Sequence, residues 1–438
     1  MVGGHDRDRA VRVVANGCAL AIVVVSSACG RLDFDVVGRD GGSASDAAGL
    51  DAAGLDAATM DGATIDGADV SGDSMVVGEG GHTPIVLETR VTSAPGDSSA
   101  ATLVWAGDGY ALAWRDERDG DPEIYFARLD MNGTKIGDDV RVTNALGTSD
   151  SPQMVQASGG FAIVFADTPA GFTGVYFVMV DPAGTPLGAP LLLSQSGIPA
   201  GTPTLTRTAT GFAAAWADSR NGQIEIYFTR IDASGVEVGS EVRVSNGAGE
   251  SEWPWITWTG TESVVAWDDV RFGEPEIYVA RFDGSGAVVG GETRITNAAG
   301  ISAIPWITWT GSELALTWSE DRDGNDNVYF ARLDATGGRV GGDIRVTSDL
   351  GSQFMSSIAW NGAGFGVAWA DSRDSTNREI YLAPLDETGT VVGADVRVSN
   401  AVGGSEWPWL VWTGTEYGVT WADARDGAYE VFFAIVRP

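Results

Sequence analysis

Seven acidic side chains return at one interval along this sequence: Asp116, Asp167, Asp218, Asp269, Glu320, Asp371 and Asp423. Six are followed two residues later by arginine, at Arg118, Arg220, Arg271, Arg322, Arg373 and Arg425. A glutamate stands a few residues further on at Glu123, Glu225, Glu276, Glu379 and Glu430. Carboxyl groups with arginine and tyrosine suffice for glycoside chemistry, which runs on two carboxyls without histidine. Seven near-copies of one constellation, however, cannot be one active site. They read better as a structural turn network, with arginine bridging carboxylates across a turn and aspartate accepting local amides. The second copy departs from the rule, carrying Thr168-Pro169-Ala170-Gly171-Phe172 and Gly174 where the others have Arg and, in all but the fifth, Glu.

Absences narrow the chemistry further. The only histidines are His5 and His82, and the only cysteines Cys18 and Cys29, so the chain from Thr83 onward has neither type. That excludes Ser-His-Asp and Cys-His catalysis, zinc held by His or Cys, and haem ligated by either in the main domain. It also excludes disulfides there. Asp321-x-Asp323-Gly-Asn325-Asp326 and Asp119-Gly-Asp121 cluster oxygen ligands on turns, where a Ca2+ would sit, but neither has the twelve-residue EF-hand spacing. No metal or other cofactor is expected.

The aromatic residues fall into two sets. Trp105, Trp258, Trp309, Trp360 and Trp412 recur at one position and are expected in the core. Trp253, Trp255, Trp306, Trp407 and Trp409 are less regular and sit in segments such as Ser-Glu-Trp-Pro-Trp at 251–255 and 405–409. With Glu252 and Glu406 beside them they form a candidate ligand-binding face for carbohydrate or peptide. The alternative is that these indoles fill a wide central channel.

The elements that position these residues follow from an internal repeat. Trp114, Phe165, Trp216, Trp267, Trp318, Trp369 and Trp421 are spaced by 51 residues, the last step being 52. Each copy holds four short segments of period-two alternation bounded by turn residues, as in Glu276-Ile-Tyr-Val-Ala-Arg. Four antiparallel strands per copy make a propeller blade. The last copy ends after its third strand, and an unaccompanied fourth-type strand stands at residues 85–92. The expected fold is therefore all-β, a seven-bladed propeller of four-stranded blades whose ring is closed by the N-terminal strand completing the last blade. Closing the ring removes the exposed edges that an open array would leave, and a monomer is expected.

The phrase W-x-[DE]-x-R-D-G-x-x-E-I-Y, plainest at Glu320-Asp321-Arg322-Asp323-Gly324-Asn325 and Asp423-Ala424-Arg425-Asp426-Gly427, resembles the TolB-type (WD40-like) propeller repeat. The resemblance covers residues 85–438 and implies architecture only. TolB proteins have six blades and a separate N-terminal domain, so their role in the envelope is not implied.

Upstream, Arg7, Arg9 and Arg12 precede an apolar run from Val13 to Val25 and then Ser26-Ser27-Ala28-Cys29. This describes an export signal over residues 1–28, too short for a mature membrane span. It resembles a bacterial lipoprotein signal, with Cys29 lipidated, although Ser26 replaces the usual aliphatic residue. Residues 29–83 include Asp/Ala/Gly pentapeptides from Asp46 onward and are expected to form a disordered acidic tether to a propeller over 84–438. The expected address is the cell envelope, at the outer membrane, with the lipid as the only membrane contact.

The net charge is −33, of which residues 1–83 hold −8, so −25 remains on the rest. Such a surface repels nucleic acid. The uniform repeats lead to the expectation of a non-enzymatic binding or scaffold module for protein or glycan. The runner-up is a glycoside-processing enzyme working through Glu252 and Glu406.

Overall fold

Alternating polar and apolar residues between Gly-rich turns leave the chain one economical solution, short antiparallel strands with both faces covered by neighbours. The computed structural model describes residues 85–437 apart from 145, 170, 172, 196–199, 349–350 and 375–376. The export signal, Cys29 and the acidic tether lie outside the described residues. The strands number 28, from β1 (Ile85–Arg90) to β28 (Glu430–Arg437), and no helix occurs among the described residues.

They form seven four-stranded sheets. Six use consecutive strands. The seventh has the order β1-β28-β27-β26, where β27 spans Tyr417–Asp423 and β26 spans Ser405–Trp412. The N-terminal strand thus completes the last blade, pairing Val86 with Val436 and Arg90 with Phe432. Arg425 bonds Glu88 across this seam at 2.6 Å.

The first strands of the blades are β2 (Ser98–Trp105), β6 (Ser149–Ala157), β10 (Ala200–Arg207), β14 (Ser251–Trp258), β18 (Ser302–Trp309), β22 (Gln353–Trp360) and β26. They pack on one another and line the central channel. The core is divided into wedges between neighbouring blades. One wedge joins Ile307, Leu316 and Trp318 of blade five to Val264, Ala266 and Val279 of blade four. The marker residues from Trp114 to Trp421 are all essentially buried. Outer strands are more exposed, as at Val288–Arg294.

Candidate functional site

The repeated Asp/Arg turns join the second and third strands on one face of the propeller. In blade one, the Arg118 guanidinium donates to Asp116 through Nε (2.7 Å) and Nη2 (2.6 Å), and through Nη1 to Asp139 on the fourth strand (2.9 Å). Asp116 also accepts from the Arg118 amide, the Trp114 indole (2.8 Å) and Ser98 Oγ (3.0 Å). The guanidinium lies 4.3 Å above the Tyr125 ring. The same pairing of two carboxylates by one arginine joins Asp218 and Glu241 through Arg220, Asp269 and Glu292 through Arg271, and Glu320 and Asp343 through Arg322, although Arg220 and Arg322 leave Nε without a partner. It holds Asp371 and Asp395 through Arg373, and Asp423 and Glu88 through Arg425. Burial alone would raise the Asp116 carboxyl, but the hydrogen bonds from Arg118 and Trp114 outweigh it and hold the group below its ordinary range. These side chains are committed to one another.

Blade two shows the cost of losing that clamp. Phe165 has no indole N–H, and no arginine stands two residues beyond Asp167. Asp167 is buried with Oδ1 unsatisfied, and burial pushes its carboxyl up to about 6.

The channel mouth on this side is shaped by a β-bulge repeated in all seven first strands. Its third residue sits at positive φ in every blade: Ala100, Ser151, Thr202, Trp253, Ile304, Met355 and Trp407, between 45° and 56°. Left-handed backbone is costly for residues with a Cβ, and bulges re-aim side chains. Two of the seven are tryptophans, and both reach solvent: Trp253 is 40% exposed and Trp407 37%. Trp407 packs against Tyr429, ring centroids 5.7 Å apart.

Two residues further along the same strands, Trp255, Trp306 and Trp409 meet. Trp255 and Trp306 stack at 3.5 Å, and Trp409 lies 5.1 and 4.8 Å from them. They come from blades four, five and seven, so they meet across the axis and plug the channel. Their faces are used on each other, which separates them from Trp253 and Trp407. The recurrent Trp105, Trp258, Trp309, Trp360 and Trp412 sit half-buried at the far ends of these strands.

Carboxyl groups break the sevenfold symmetry one residue before the bulge. Here blades one to seven carry Ser99, Asp150, Gly201, Glu252, Ala303, Phe354 and Glu406. Glu252 is paired in register with Asp268, where the other blades have Arg115, Ala166, Ala217, Ser319, Ala370 and Ala422. Asp268 is buried and accepts one bond, from the Ile304 amide at 3.0 Å. Burial, then the nearby Glu252 and Asp269 charges, outweigh that bond and push it up to about 8. Burial also raises Glu252, with Glu250 adding repulsion. Glu406 instead pairs with Arg378 at 2.5 Å and accepts from the Tyr429 hydroxyl at 3.4 Å, while Asp150 lies 3.5 Å from Arg115.

Asp268, Arg378, Tyr429, Asp150 and Arg115 were not legible as site residues from the repeat alone. The signal lay in deviations: Asp268 and Arg115 occupy a position that is Ala or Ser in every other blade. The oxygen-rich turns considered for Ca2+ have other partners. Asp119 and Asp323 accept from Tyr125 and Tyr329 and pair with Arg141 and Arg345.

No family model and no curated protein matches the chain. Among solved structures it is similar to a GH43 endo-arabinanase from Bacillus licheniformis, at 15% identity over 57% of this chain and 99% of that one, TM-score 0.36. It is similar to an endo-arabinase from Bacteroides thetaiotaomicron, at 14% identity over 56% of this chain and 96% of that one, TM-score 0.38. It is also similar to prolyl endopeptidases, at 12% identity over 74% of this chain and 45% of that one, TM-score 0.49. At these identities the likeness speaks for the propeller fold alone. The expectation of a non-enzymatic module does not stand, since propellers of this kind include glycoside hydrolases and the fold itself leaves catalysis open. Even blade spacing gives no ground for excluding catalysis. Two substituted side chains at one mouth suffice for a reactive pair, and the backbone need not change.

Proposed function

We propose that the propeller binds a carbohydrate at the bulged mouth of its channel, with Trp253 and Trp407 as stacking faces, on a chain held in the cell envelope through Cys29. The exposure of these two indoles carries the reading. Five bulges hold a small or aliphatic residue at the same place, and a large apolar ring in water at a left-handed position contributes little to folding. Glu252, Glu406, Arg378 and Tyr429 surround them with donors and acceptors suited to hydroxyl groups. Burial and the neighbouring carboxylates favour the protonated form of Asp268, which leaves the blade-four side less hostile to a neutral ligand than its carboxyl count suggests.

A second reading has its own observation. Glu252 and Asp268 lie opposite each other and both are raised, so the pair holds one proton readily, as glycosidic cleavage requires. A glycan panel tests both readings. Trp253→Ala and Trp407→Ala should each weaken capture roughly tenfold. Unchanged capture in both variants would sink the binding reading. Release of reducing ends by the wild type, lost in Glu252→Gln and Asp268→Asn, would establish the second.

A further inference from the structure

On the opposite face, four arginines occupy one position of the third strand in their blades: Arg128, Arg230, Arg281 and Arg332. Three have a carboxylate partner from the turn between the first two strands or the first residue after it. Arg128 Nη2 meets Asp108 at 2.7 Å, Arg281 Nε meets Glu262 at 2.8 Å, and Arg332 Nη1 meets Glu313 at 3.1 Å. In blade three the corresponding places hold Thr210, where blade one has Asp108, and Gly211, where blades four and five have Glu262 and Glu313. Arg230 keeps the bond its siblings make to the next blade's turn, donating from Nη1 to the Gly284 carbonyl at 3.0 Å. Among the described residues it has no ion pair.

The missing carboxylate leaves a cleft. A cavity of about 240 Å³ opens between blades three and four, walled by Arg230, Trp258, Phe212, Ile231 and Val238, with Thr210 at its edge. Asp232 and Asp283 border it as carboxylates, each with its Oδ1 engaged by its own turn, so the ligand's carboxylate must enter on the Arg230 side. Asp232 accepts the Ser234 and Val236 amides, and Asp283 the Ser285 and Ala287 amides. An arginine fork beside a half-buried indole is a built receptor for a planar anion on a ring: the fork takes a carboxylate and the indole takes the body. The volume, just below the usual range of ligand sites, limits the ligand to a single ring.

We propose that this cleft binds a single-ring carboxylic acid, whose carboxylate takes the place that Asp108, Glu262 and Glu313 fill in the sibling blades. The site is on the face opposite the tryptophan mouth and stands independently of the function proposed there.

Calorimetric titration of the full chain with benzoate, glucuronate and the neutral benzamide tests it. At least one acid should bind, and benzamide at least tenfold more weakly than benzoate if the ring is aromatic. Binding of glucuronate alone would assign the ring to a sugar acid. Thr210→Asp installs the blade-one partner and should abolish acid binding with the melting temperature kept, and Arg230→Gln should abolish it as well. The proposal is overturned if neither acid binds at millimolar concentration, or if Thr210→Asp binds as the wild type does.

Discussion

At the scale of single residues, the internal repeat supplies its own controls. Asp116 and Asp167 occupy one place in adjacent blades. The first is held low by an arginine and an indole N–H, whereas the second has neither and is raised to about 6. The sign of the consequence follows from proton counts. Between an unfolded value of about 3.9 and a folded value of about 6, the folded state binds more protons than the unfolded one. Stability contributed by Asp167 therefore falls as pH rises through that window, and the penalty is complete above it. Asp167→Asn should stabilise the protein by about 1–3 kcal/mol at pH 7. Denaturant melts at pH 7 and pH 4 check it: the advantage should vanish at the lower pH. Asp268 acts in the same direction up to about 8. The clamped Asp116, Asp269 and Asp423, held low, act oppositely and lose their contribution as pH falls below about 4.

At the scale of the strand, the bulge is the device that makes a site out of a repeat. A regular first strand would turn every second side chain to the channel. The extra residue lets two tryptophans face solvent while others, two places on, plug the axis. The sequence shows the Trp-Pro-Trp segments and their strand, but not which indole faces which way. Alternation predicts direction only where the pleat is unbroken, and the positive φ at position three has no glycine to announce it. The Asp/Arg turns were legible because spacing alone places both partners on one hairpin. Arg378 with Glu406 was not, since that contact joins neighbouring blades. Ala100→Gly tests the strain. It should leave stability unchanged or raise it by up to about 1 kcal/mol, while Ala113→Gly in the regular second strand should cost about 1 kcal/mol. Urea midpoints at constant slope decide between the two.

At the scale of the whole molecule, the ring depends on a seam between strands more than 330 residues apart in sequence, marked by the Arg90–Glu430 and Arg425–Glu88 pairs. Both the seven blades and this closure were legible, because a fixed period and a split repeat are properties of the string itself. The channel's contents were not, because side chains from blades four, five and seven meet only once the ring is shut. That meeting has an optical consequence. Indoles stacked at 3.5 Å with a third at about 5 Å are close enough to couple their excited states, so the closed ring should show a signed pair of bands in its circular dichroism. Deleting residues 85–92 should extinguish that couplet while the far-ultraviolet strand signal of the separate blades persists. A couplet that survives the deletion would mean the seam is not what holds the ring shut. The plug thus makes the centre of the propeller a built-in chromophore that reports closure without a label.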